Sequence, residues 1–226
     1  MSKTKRKPSN LTNDAYEGIK TMVIRGEIVP GERLNQKQLQ DRFNVSRTPL
    51  MTALAKLHEE DILEIRPNRG VFVKQLEIKE ILDIYKIRLQ LEPLGVYEAT
   101  RLITPENIEH LESILQRFEE VVKKNNQHDV VEIDILFHSE IMKLSTNDFL
   151  YRMLTNFDII IMSNRVGLLN TFENSLNDHK ILLDEMKKRN AEKAKETMYK
   201  HIHRAYDTLS RLRDLNKTYI QFGNGK

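Results

Sequence analysis

The chain has 226 residues, 39% of them hydrophobic and 31% charged, with 36 Lys+Arg against 33 Asp+Glu and a formal net charge of +3. It has no cysteine, which excludes disulfides, thiolate metal sites and cysteine nucleophiles. Only eight glycines, no apolar run near the roughly 18 residues of a membrane span, and an N-terminus (MSKTKRKPSN) without an apolar export core predict a cytoplasmic, mainly α protein.

Residues 1–10, with Lys3, Lys5, Arg6 and Lys7 before Pro8, read as a flexible basic arm. Residues 11–76 hold the next block. Ala15, Ile19, Met22 and Val23 fall at helical spacing behind a cap at Thr12 or Asn13, and Gly26 and Pro30-Gly31 end that helix. Asn35 caps a second short helix with Leu39 and Phe43 inward. Asn44-Val45 makes a tight turn, and Ser46 caps a third helix that turns Leu50, Ala53, Leu54 and Leu57 to one side. Ile62 to Ile65, a turn at Pro67-Asn68-Arg69-Gly70 and Val71-Phe72-Val73 predict a small β-hairpin. Residues 77–226 are helical in pattern, with segments near 78–102, 104–124, 129–145, 147–170, 177–188 and 191–215 and cap-like Thr104, Asn147 and Asn190. The expected architecture is an N-terminal winged helix-turn-helix followed by an all-α antiparallel bundle, with a frayed tail at Gly223–Lys226.

Charge follows the same division. Residues 1–76 hold 14 Lys/Arg and 9 Asp/Glu, and the remainder holds 22 and 24. A basic front on a mildly acidic body suits a segment that meets a polyanion. Ser46, Arg47 and Thr48 occupy the first turn of the third helix, where free amides and the helix dipole favour phosphate and Arg47 can fork onto guanine. Arg69, beside Gly70 at the hairpin tip, is placed for a minor groove or a phosphate.

The segments Val29-Pro30-Gly31-Glu32-Arg33-Leu34, Asn44-Val45-Ser46-Arg47-Thr48-Pro49-Leu50, Ala53-Leu54-Ala55-Lys56-Leu57 and Arg69-Gly70-Val71-Phe72-Val73 resemble the GntR family of bacterial transcription regulators over about residues 10–75. The resemblance implies a homodimer that reads a palindromic double-stranded operator, with contacts at Lys37, Ser46, Arg47, Thr48, Arg69 and Gly70. The family usually has Arg-Glu where this chain has Met51-Thr52. That departure removes a base or phosphate contact, although Met51 can pack against a thymine methyl.

Histidine is the informative residue of the second part. Asp134 and His138 lie four apart on one helix face among Ile133, Leu136, Phe137 and Met142. His179 opens a later helix and His201 lies in the last, so a hairpin of antiparallel helices can bring them together. Three imidazoles and a carboxylate suit zinc, nickel, manganese or ferrous iron. An intrahelical or surface role for each is the plainer alternative; His203 falls on a different face from His201, and His58, His110 and His128 read as solvated. Tyr85-Lys86-Ile87-Arg88-Leu89-Gln90-Leu91-Glu92-Pro93-Leu94, Asp134-Ile135-Leu136-Phe137-His138, Leu144-Ser145-Thr146-Asn147 and the His179 to His201 interval are similar to the FCD effector domain of FadR-like GntR regulators. The resemblance implies a divalent ion, zinc first, on Asp134, His138, His179 and His201, and an effector carboxylate near Arg88. Arg88 can equally form an ion pair with Glu92 at i+4.

Together these residues predict a transcription regulator, a repressor as most of its family, whose operator binding answers to a small organic acid at a metal centre. The alternatives are a metal-free regulator sensing a hydrophobic ligand and a metalloenzyme. Glu132 and Glu140 flank the ligands but follow no known catalytic spacing.

Overall fold

The computed structural model describes the backbone of residues 8–124, 127–165 and 172–214, with side chains for 11–124, 129–157 and 174–213. The basic residues Lys3 to Lys7, the His128 side chain and the tail lie outside the described residues. The chain divides into two compact units, residues 1–75 and 76–226.

The first unit contains α1 (Pro8–Ile24), α2 (Gln36–Phe43), α3 (Arg47–Glu59), β1 (Leu63–Arg66) and β2 (Gly70–Val73). Helix α1 begins at Pro8, ahead of the expected cap at Thr12 or Asn13. A proline is suited to a first helical turn, because its missing N–H is one of the unpaired donors there. Helix α2 starts as expected, with Asn35 Oδ1 accepting from the Lys37 and Gln38 amides at 3.1 and 3.2 Å. It stops at Asn44, whose left-handed backbone (φ 51°) suits an asparagine. Ser46 stands at the N-cap of α3 but makes no side-chain cap bond, contrary to its expected capping role. Ala15, Ile19, Leu39, Leu50, Ala53, Leu54 and Leu57 are buried between the three helices. Strands β1 and β2 pair antiparallel from Leu63↔Val73 to Arg66↔Gly70. Gly70 has φ 114°, a conformation that no L side chain takes easily, and this lets the hairpin close.

The second unit holds six helices among the described residues: α4 (Ile78–Leu102), α5 (Pro105–Lys123), α6 (Gln127–Leu144), α7 (Asp148–Arg165), α8 (Phe172–Lys187) and α9 (Ala191–Asp214). Thr104, Asn147 and Asn190 cap α5, α7 and α9, with their side-chain oxygens accepting from Asn107, Leu150 and Lys193 amides. Helix α4 packs along α9 and against α6 and α7, while α8 packs on α5 and α9. Tyr85, Val96, Phe118, Phe137, Ile141, Met186 and Met198 fill the centre. Truncating a buried aromatic such as Phe118 to alanine costs about 3–5 kcal/mol. Where α4 meets α6 and α7 there is Gly95, and an added Cβ would lie 2.4 Å from Met142 Sδ and 2.8 Å from Leu150 Cδ2. None of the described helices is long and apolar enough to cross a membrane.

Candidate functional site

The first unit presents its candidate residues to solvent. Ser46, Arg47 and Thr48 are exposed in the first turn of α3, and Arg69 is exposed at the hairpin tip. Ser46 keeps its hydroxyl out of the cap, which leaves it available to an outside acceptor or donor. Lys37, in the first turn of α2, pairs with Asp41 at 3.0 Å, both well exposed. Such a pair is worth about 0–1 kcal/mol and is screened by salt, so a phosphate can displace Asp41. Met51 is partly buried one turn into α3.

In the second unit, α6, α8 and α9 converge on a buried cluster. One ring nitrogen from each of His138, His179 and His201 lies within 4.8 Å of the other two. His138 Nε2 and His179 Nε2 are 3.1 Å apart. Asp134 Oδ1 lies 3.7 Å from His179 Nε2 and also accepts from Ser175 Oγ at 3.1 Å. His179 stacks on Phe137, with ring centroids 4.5 Å apart, and tilts against Phe118. It lies in the middle of α8 and does not open a helix as the sequence suggested, because α8 starts at Phe172. Of the four residues predicted to share a centre, the three histidines come together and Asp134 lies beside His179. His203 pairs with Asp207 on the surface at 3.1 Å, apart from the cluster.

Two carboxylates that the sequence reading had not placed there complete the site. Glu92 Oε2 faces His138 Nδ1 at 2.7 Å, and Glu92 Oε1 accepts from Arg88 Nε. Arg88, Glu92 and His138 are each 1% exposed. On the other side, Asp178 Oδ2 faces His201 Nδ1 at 3.2 Å and accepts from Arg204 at 2.5 Å. Burial alone would raise the Glu92 pKa, but the charge of Arg88 and the hydrogen bonds from His138 and Arg88 outweigh it and hold the carboxyl well below its ordinary range. Asp178 follows the same pattern: burial pushes it up, and hydrogen bonds from His201 and Arg204 bring it below its usual value. Burial drives His179 well below the ordinary imidazole pKa, helped by His201 and His138. His201 is lowered too, by burial first, with Asp178 opposing. Neutral imidazoles are the form that ligates metals.

The model for bacterial regulatory proteins of the gntR family matches residues 11–73, and the FCD domain model matches residues 83–204. The chain belongs to the GntR family and carries an FCD domain. The HTH-type transcriptional regulator YdhC of Bacillus subtilis is 28% identical over 217 residues, covering 93% of this chain and 96% of that protein. The gluconate operon transcriptional repressor of Bacillus licheniformis is 27% identical over 199 residues, covering 84% and 80%. Among solved structures, E. coli McbR/YncC shares the fold with a TM-score of 0.79 at 21% identity, covering 90% of this chain and 98% of that one. This GntR protein is a DNA-binding transcription regulator, of a family that binds operators and typically acts as dimers, and FCD domains commonly bind metal.

The regulator's donor set fits a divalent ion on two observations. The carboxylates occupy the Nδ1 atoms of His138 and His201, leaving their Nε2 atoms for the cluster. Two nitrogens each roughly 2.1 Å from one ion lie about 3.0 Å apart at right angles, and His138 and His179 Nε2 are 3.1 Å apart. His58 and His110 are exposed, as expected, and each also has a partner. His58 Nδ1 contacts the Leu63 carbonyl at 3.0 Å, and His110 Nε2 faces Glu140 at 3.5 Å. Glu92 was visible in sequence only as the i+4 partner of Arg88. Asp178 carried no sequence signal beyond its place next to His179.

Proposed function

We propose that this GntR regulator is a repressor that, as a homodimer, holds a palindromic operator under the control of a small organic acid at a divalent metal centre. The observation that carries this is the gathering of three imidazoles in the interior of the helical unit, with Asp134 beside His179. Asp134, His138, His179 and His201 would hold the ion, zinc first, with nickel, manganese or ferrous iron as alternatives. When bound, the ion supplies positive charge with coordination positions left for an oxygen ligand. Arg88, whose Nε is committed to Glu92, carries further N–H donors for the carboxylate of an acid. One relative is named as repressor of a gluconate operon, and a sugar acid is such a small carboxylate. An acid acts on operator affinity only through its differential affinity for the arrangements that do and do not bind DNA. On the DNA side, Arg47 would read a base edge, Lys37, Ser46 and Thr48 would hold phosphates, and Arg69 with Gly70 would follow the groove.

The test joins elemental analysis of the purified full chain to operator binding in a series of small carboxylic acids, with and without chelator. About one ion per chain is expected, together with an acid effect on operator affinity that chelator abolishes. Protein that stays metal-free after reconstitution sinks the proposal in favour of a regulator sensing a hydrophobic ligand. Turnover of an acid by the loaded protein would favour a metalloenzyme.

A further inference from the structure

The three histidines of the cluster are not held alike. His138 and His201 each turn Nδ1 to a carboxylate, Glu92 at 2.7 Å and Asp178 at 3.2 Å. Each carboxylate is itself gripped by an arginine, Arg88 from one turn earlier on α4 and Arg204 from α9. An ionised carboxylate can only accept, so Nδ1 of both rings must donate, and in the neutral ring it is then Nε2 that carries the lone pair. His179 differs. Its Nδ1 is buried with no hydrogen-bond partner among the described residues, and its ring is set by Phe137 and Phe118.

We propose that Glu92 and Asp178 are positioning residues that fix His138 and His201 as Nδ1–H tautomers, ready to ligate, while His179 is aimed by the packing of its ring alone. Two of the three imidazoles are thus preset by Arg-clamped carboxylates and the third is preset by packing only. This inference rests on the metal reading of the site and adds the order within it.

The experiment is long-range 1H–15N correlation on the full chain with 15N-labelled histidine, first metal-free and then with zinc, the three rings being assigned by single His→Gln variants. The metal-free protein is expected to show Nδ1–H for His138 and His201, and the zinc-loaded protein is expected to keep both. Glu92→Gln and Asp178→Asn should each weaken zinc binding about 10–100-fold. Asp178→Asn is the safer variant, since Arg204 is half exposed and can turn to water, so its metal-free melting curve should match the parent's. A merely structural role would move that curve and leave the ring tautomers alone. An Nε2–H proton on His138 or His201, or zinc affinity unchanged in both variants, overturns the inference while the parent still binds zinc. A parent chain that takes up no zinc overturns the metal reading itself.

Discussion

Arg47 and Arg88 place one side-chain type under opposite conditions. Arg47 stands exposed in the first turn of α3, with no ion pair among the described residues. Arg88 is 1% exposed on α4 and clamped to Glu92, which in turn holds His138. A guanidinium in water is stable alone and keeps its donors for whatever arrives. A buried one persists only where the fold supplies the counter-charge. The first unit therefore carries its chemistry on its surface, addressed to a polyanion. The second carries it inside, away from any surface partner.

The sharpest way to break this contrast is Glu92→Ala. It leaves Arg88 buried without that carboxylate, and breaking a buried pair costs about 3–5 kcal/mol. Chemical denaturation should show a loss of that size, and a loss under about 1 kcal/mol would mean that Arg88 reaches water after all. Next is His179→Ala. The parent should gain about 2.7 kcal/mol from zinc at a hundred times its Kd, and the variant little, so melting curves with and without zinc should separate for the parent alone. On the exposed side, Arg47→Ala should leave the melting curve unchanged and cost about 1–3 kcal/mol of discrimination between operator and random duplex at each half-site. Footprinting identical to the parent would remove Arg47 from the reading surface. The smallest effect belongs to Lys37→Ala. It gives up only the weak pair with Asp41 and should lower the slope of log affinity against log salt by about 1, alike on every sequence. A loss confined to one operator sequence would make Lys37 a base reader instead.

The same contrast separates what could be read in the sequence from what could not. The α2 and α3 turns and the hairpin were legible, because Asn35, Asn44 and Gly70 announce local backbone geometry that the residue type itself dictates. Spacing offered two pairs, Asp134 with His138 and His179 with His201, and it was the resemblance to the FCD domain that grouped the four in one centre. The start of α1 at Pro8 was missed, since Thr12 and Asn13 offer stronger cap chemistry than the proline that precedes them. Asp178 was missed for a tertiary reason. It is adjacent to His179 in sequence, yet on a helix neighbours point about 100° apart, and the ring it serves is His201, on α9. Glu92 was seen along its own helix, as a partner for Arg88, and its second bond to α6 exists only once the helices pack. Such contacts between helices leave no periodic trace.

Gly95 gives this packing a consequence of its own. It sits three residues after Glu92 on α4, and its neighbour Met142 sits four after His138 on α6, so the two helices touch at the carboxylate–imidazole bond and again one turn on. The missing side chain acts as a shim of zero thickness. Adding a single methyl there would make the Met142 thioether swing aside or pry the helices apart, and prying them apart would tug on the 2.7 Å link next door. The spacing of two backbones, set by one hydrogen atom, thereby tunes how firmly a histidine deep in the bundle is aimed.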